Sequence, residues 1–197
     1  MRLFFVLFSI LCLSSCGSGE YIPTINPPDG IREGDDGSSY QLLPYSTDGN
    51  IQFANVLDGE SRVLEEGLMH LGLKEGAWIT YDHRFGRDMV QSVYNYRDGV
   101  KHGPYSVLEG GQMQERGSYY AGLQDGKITK FDRGILTDEI FYKNGQMNGI
   151  VTRYYQDGTV KEAGNFVNGL RDGLHKWFNQ AGEVIIEYQY KEGERLE

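Results

Sequence analysis

The chain has 197 residues, with 28 Asp and Glu against 19 Lys and Arg, a formal net charge of −9. That length suits one domain of ordinary size and is short for two. The acidic balance, with no Lys or Arg run to oppose it, argues against a nucleic-acid ligand, whose phosphates need a basic footprint. Gly at 27 and Tyr at 14 beside only 5 Pro predict many short strands joined by tight turns, not a disordered chain.

In chain order, the first segment is a targeting signal. Arg2 supplies a positive n-region, and Leu3 to Leu13 is apolar except for Ser9. The run is too short to span a bilayer, which takes about twenty residues, but it suits a secretory h-region. Leu13-Ser14-Ser15-Cys16 resembles the bacterial lipobox, in which the cysteine becomes the first mature residue and is acylated. The resemblance implies residues 1–15 as a lipoprotein signal peptide and a membrane partner reached through acyl chains on Cys16. Each buried CH₂ adds about 0.8 kcal/mol of membrane affinity, so several chains would anchor the protein without a transmembrane helix. Gly17, where Asp would favour inner-membrane retention, points by the same resemblance to the outer membrane. The other cysteine, Cys12, falls inside the signal, which leaves the mature chain no intramolecular disulfide and no cysteine metal site.

Residues 16–49 then read as the acylated cysteine and a flexible linker. Of the 24 residues from Gly17 to Tyr40, 14 are Gly, Pro, Ser or Asp. Such a composition buries too little apolar surface to offset its ordering entropy. Gly34-Asp35-Asp36-Gly37 lacks the alternating ligands and terminal Glu of a calcium loop and reads as plain acidic linker.

Residues 50–197 keep a period. Gly-x-x-x-Gly recurs as Gly72/Gly76, Gly99/Gly103, Gly122/Gly126, Gly145/Gly149 and Gly169/Gly173, and Gly193 opens a sixth copy. Successive first glycines lie 27, 23, 23, 24 and 24 residues apart. Three residues before a first Gly stands an aromatic: Tyr96, Tyr119, Tyr142, Phe166 or Tyr190. Five residues after each second Gly comes Tyr81, Leu108, Phe131, Tyr154 or Phe178, and a further Gly (Gly86, Gly111, Gly134, Gly158, Gly182) divides each copy. Periods of this size mean an array whose units bury their apolar faces against neighbours. Ile150 to Tyr155 and Val160 to Phe166, around Gln156-Asp157-Gly158-Thr159, read as two strands and a hairpin turn. Ile51 to Met69 reads as a degenerate first copy. The prediction is an all-β fold, an elongated antiparallel β-meander of repeated hairpins.

Gly-x-Trp78-x-x-Tyr81 followed by an aromatic-x-x-Gly-x-x-x-Gly return resembles the MORN repeat. It is closer still to the bacterial variant in antitoxin-like proteins of the YwqK type. The likeness covers roughly residues 70 to 197 and implies a single-layer twisted sheet used for protein contacts or membrane association. The pattern's Trp is kept only at Trp78. Tyr105, Ile128, Val151 and His175 take its place in later copies.

The residues offer little catalytic chemistry. His70, His83, His102 and His175 have no second ligand at metal spacing and read as solvated surface histidines, so no metal is expected. Gly122 to Thr129 lacks one spacer residue of a phosphate loop and has Ile where Ser or Thr should follow Lys. The scattered pairs Glu65-Glu66 and Asp138-Glu139 read as a solvated face, and no nucleophile elbow appears. No cofactor is expected.

Most repeat aromatics should pack along the sheet. Positions that vary between copies, namely Tyr105, Arg153 and Trp177, are the candidate ligand contacts. The expectation is a non-catalytic scaffold with a protein or glycan partner, at the outer membrane of a bacterial envelope. The alternative is an antitoxin or immunity-like protein that neutralises a partner toxin.

Overall fold

The computed structural model describes residues 31–33, 39–84 and 88–197, and every regular element among them is a strand. The signal segment, Cys16, Gly34 to Gly37 and Gly86 lie outside the described residues. The chain runs through β1 (Ile31–Glu33), β2 (Ser39–Pro44), β3 (Ile51–Leu57), β4 (Val63–His70), β5 (Leu73–Asp82) and β6 (Met89–Arg97). It continues through β7 (Val100–Glu109), β8 (Gln112–Tyr120), β9 (Leu123–Gln124), β10 (Gly126–Asp132), β11 (Ile135–Lys143) and β12 (Gln146–Tyr154). Last come β13 (Val160–Val167), β14 (Leu170–Arg171), β15 (Gly173–Phe178), β16 (Val184–Lys191) and β17 (Glu194–Arg195). All pairings are antiparallel and join chain neighbours. β9 with β10, and β14 with β15, each act as one bulged partner of the strand before. The sheet is an open meander.

The sheet starts earlier than the composition suggests. β2 pairs with β3 from Ser39↔Leu57 to Pro44↔Gln52, inside the 16–49 segment expected to be linker. Tyr40 and Leu42 pack on the cluster of Ala54, Val56 and Trp78. These apolar residues sit at every second position, so one face of a six-residue strand collects them. An average over 24 residues hides that.

The period has a mechanical cause. Asn168 and Gly169 have φ of 50° and 84° between the paired residues Val167 and Leu170. This is a two-residue turn of the I′ kind, whose twist matches the flanking strands. Each turn hangs from the hairpin before it. The amide of Gly99 donates to Lys74 O (2.9 Å), Gly122 to Lys101 O (2.8 Å), Gly145 to Gln124 O (2.9 Å), Gly169 to Met147 O (2.9 Å) and Gly193 to Arg171 O (2.8 Å). The second glycines also have positive φ, and each lies opposite the repeat aromatic: Gly76↔Tyr96, Gly103↔Tyr119, Gly126↔Tyr142, Gly149↔Phe166 and Gly173↔Tyr190.

One row of residues crosses the sheet and forms its core. Register places Leu42, Ala54, Gly67, Trp78, Tyr94, Tyr105 and Gly117 side by side. Ile128, Ile140, Val151 and Gly164 follow, then His175 and Tyr188. The largest fully buried side chains, Trp78, Ile128, His175 and Val151, all belong to it. The row closes because three strands contribute glycine. A Cβ on Gly67 would lie 2.6 Å from the Trp78 ring, one on Gly117 2.9 Å from Ile128, and one on Gly164 2.1 Å from His175 Nδ1.

Ala at Gly67, Gly117 or Gly164 should therefore destabilise the fold by about 1–3 kcal/mol or more through overpacking. Gly59→Ala is the control, since no atom lies within 4 Å of its added Cβ. Urea midpoints check this. Equal midpoints for Gly164→Ala and Gly59→Ala would refute the packing account.

Candidate functional site: an aromatic and cationic sheet face

Two further rows flank the core row on the same face. On the side of the glycine turns, the aromatics pair onward with the residue two after each first Gly: Tyr96↔Lys101, Tyr119↔Gln124, Tyr142↔Met147, Phe166↔Arg171 and Tyr190↔Arg195. Lys74 holds that position in the first copy, opposite Met69. All four of these cations lie over rings, Arg195 over Tyr188 at 4.7 Å. Lys74 Nζ is 4.2 Å from the Trp78 centroid and 5.2 Å from that of Tyr96. Lys101 Nζ is 3.5 Å from Tyr94 and 5.3 Å from Tyr119. The Arg171 guanidinium is 5.7 Å from Trp177 and 5.5 Å from Tyr190. Each cation–π contact is worth about 0.5–2 kcal/mol according to its exposure.

On the far side of the core row runs a ladder of alternating charge: Glu115, Lys130, Asp138, Arg153 and Glu162, ending in Trp177 and Ile186. Arg153 bridges Asp138 (3.3 Å) and Glu162 (2.7 Å), while Lys130 reaches Glu115 (3.3 Å). Glu162 also meets Arg171 at 3.4 Å, which ties the two flanking rows together.

The three expected ligand contacts separate here. Arg153 and Trp177 share the far-side row with Glu162 between them, and the Arg153 side chain is 43% exposed. Tyr105 is a correction: it is only 3% exposed, stacked on Tyr94 at 5.2 Å, with its hydroxyl donating to Glu115 at 2.5 Å. It varies between copies because the core row demands different shapes in different hairpins, not because solvent leaves it free.

His175 is the second correction. It was expected at the surface and is fully buried. Its Nε2–H donates to Asn165 O at 2.7 Å, just as Trp78 Nε1–H donates to Leu68 O at 2.7 Å. The imidazole thus takes over the indole's bond to the residue after the facing glycine. Among the other histidines, His83 bonds Val63 O at 2.8 Å, and His102 Nδ1 accepts from the Ala121 amide at 3.5 Å. Among the described residues, no three His, Cys, Asp or Glu gather to hold a metal ion.

The opposite face is built differently. Tyr81 donates to Glu66 (2.6 Å), Tyr154 to Glu139 (3.0 Å), and Arg116 lies over Phe131. A hollow of about 480 Å³ beside Tyr81 is lined by Asp58, Arg62, His83 and Arg84. Its arginines are each tied to an aspartate, Arg62 to Asp58 and Arg84 to Asp82, both at 2.7 Å. Lys127 holds the Glu139 carboxyl below the usual carboxylate range by hydrogen bonding to it.

The residues that sequence reasoning missed are the cations Lys74, Lys101 and Arg171. Their signal was a fixed place, two residues after the turn glycine, filled by Lys, Lys, Gln, Met, Arg and Arg in turn.

Burial pushes the phenols of Tyr94, Tyr96, Tyr105 and Tyr119 up from 10.0. A raised folded value means full stability below the unfolded value and loss as pH climbs from there through the folded one. Urea midpoints should therefore be flat up to about pH 9 and fall steeply above about pH 10, with these four buried phenols ionising only as the protein unfolds. Ionisation of all tyrosines near pH 10 without unfolding would contradict it.

Scans against protein-family models and curated proteins find no match to this chain.

Proposed function

We propose that the protein is a non-catalytic binding scaffold of the bacterial envelope, held to the membrane through acyl chains on Cys16, presenting its aromatic and cationic face to a protein partner. The observation that carries the reading is the asymmetry of the open sheet. One face has a filled core row flanked by cations over rings and by the charge ladder. Aromatic groups and Arg beside desolvated contacts are the makings of a protein-binding surface. The carboxylates of the ladder support the same reading, since Glu115, Asp138 and Glu162 are each held by a cation. The membrane part rests on the lipobox resemblance at Leu13 to Cys16.

Two measurements test it. A clickable palmitate analogue should label the wild type and not Cys16→Ala, with the label in the membrane fraction. An unlabelled cytoplasmic wild type would overturn the envelope reading and favour the antitoxin-like alternative. Photo-crosslinking side chains at Arg153 and Trp177 should give one discrete adduct in cells. The same groups at Lys176 and Glu187, paired on the other face, should give none. Equal crosslinking from both faces would remove the binding-face assignment.

A further inference from the structure

The repeat supplies its own template for what belongs beside each cation. Seven residues before a first Gly stands the far-side partner of the cation two residues after it. In the first copy the pair is Glu65 and Lys74, joined at 2.6 Å. In the fifth it is Glu162 and Arg171, joined at 3.4 Å. In both, a cation over two rings is neutralised by a carboxylate of its own hairpin. The third and fourth copies have no cation there: the two positions hold Glu115 and Gln124 in one, and Asp138 and Met147 in the other.

The second copy breaks the rule on one side only. Lys101 keeps the cation and lies over Tyr94 and Tyr119, but the carboxylate position holds Ser92. The neighbours of Ser92 along the row, Thr80 and Val107, carry no charge. Of the carboxylates in the adjoining copies, Glu65 is paired with Lys74, though its charge also reaches Lys101, and Glu115 with Tyr105 and Lys130. A hollow of about 370 Å³ adjoins Ser92 and Tyr94 on the side of Arg84 and Glu109, and Lys101 does not line it. Burial, and then the charge of Lys74, push the Lys101 ammonium below its usual value, while the charge of Glu65 works the other way. Arg195, over Tyr188, also lacks its carboxylate, with Ile186 in that place, but it is exposed where Lys101 is half-buried.

We infer that Lys101, where Ser92 stands in place of a glutamate, receives an acidic side chain of a protein partner, which completes from outside the carboxylate–cation–aromatic set that Glu65 and Glu162 complete from within. This deepens the scaffold reading and rests on it. The occupant is a carboxylate because the two complete copies hold carboxylates. It belongs to a protein partner because Lys101 lies on the sheet face that the scaffold reading gives to one.

The test uses the folded chain and an oligoglutamate peptide as probe. The wild type, with isotope-labelled lysines, should show the Lys101 ε resonances shifting on titration and saturating. Lys101→Gln, whose new side chain already stands at this position as Gln124, should bind at least about tenfold more weakly, a difference of about 1.4 kcal/mol. Ser92→Glu should lose binding, because the added carboxylate fills the place, and should unfold at a higher urea midpoint than wild type. Binding undiminished in Ser92→Glu, with the fold retained, would overturn the inference. So would free glutamate or inorganic phosphate shifting Lys101 as strongly as the peptide. Circular dichroism of both variants separates a folding failure from a binding loss. If Lys101 fails while the Arg153 and Trp177 crosslinks persist, the inference falls and the scaffold reading stands.

Discussion

A sheet one layer thick has no second layer to cover its apolar side chains, so it must bury them against its own neighbours. Here that burial depends on three glycines. Trp78, Ile128 and His175 reach full burial because Gly67, Gly117 and Gly164 leave the space beside them empty, with no room for even a methyl group. The aromatics opposite the second glycines cover the backbone there in turn, which compensates for the glycines' missing side chains. Everything else on that face is arranged around the filled row. The cations sit over its rings, and the charge ladder runs along its far side.

The packing has a longer period than the chain. Turn glycines return every 23 to 27 residues, yet five residues before each first glycine the occupants alternate: Gly67, Tyr94, Gly117, Ile140, Gly164, Tyr188. Each glycine faces a large residue of the next strand, and Tyr94 and Ile140 each lie between two others, Tyr94 between Trp78 and Tyr105 and Ile140 between Ile128 and Val151. The structural unit is therefore a pair of hairpins. Loss of a single hairpin would set Tyr94 in a place sized for glycine, or a glycine where a ring should fill, and either change opens a void or a clash.

This explains which features were legible in the sequence. The turns were, because a two-residue I′ turn writes its demand for positive φ into adjacent residues such as Asn168 and Gly169. The repeat aromatics were legible too, because their glycine partners recur at fixed spacing. Gly67, Gly117 and Gly164 were not. Their constraint comes from a side chain on another strand, at the same register, and nothing in their own segment marks it. Tyr105 and His175 were misread for a related reason. Variation between copies looked like freedom from the fold, and imidazole looked like a surface group. Both vary because a row built from unequal shapes needs a different residue at each step. For His175 the fixed requirement is a donor aimed at the Asn165 carbonyl, which indole or imidazole can meet. The strand β2 escaped notice because its alternation is six residues long and lies beside glycine and proline.

Register also changes what an electrostatic oddity means. On an irregular surface a lysine without a carboxylate is ordinary, since water solvates it and exposed pairs add little. In a repeat the same position is built several times with the same backbone, so the other copies state what the geometry accommodates. Lys74 and Arg171 each lie over two rings and each meet a glutamate of their own hairpin. That fixes the cost of the position: rings on one side displace water that the ammonium would otherwise keep, and a carboxylate restores the balance. Where Ser92 replaces the glutamate, the water is still displaced but the balance is not restored. On the inference above, the partner for that cation lies outside the chain, and an acidic segment reaches it against the general repulsion that a net charge of −9 sets up.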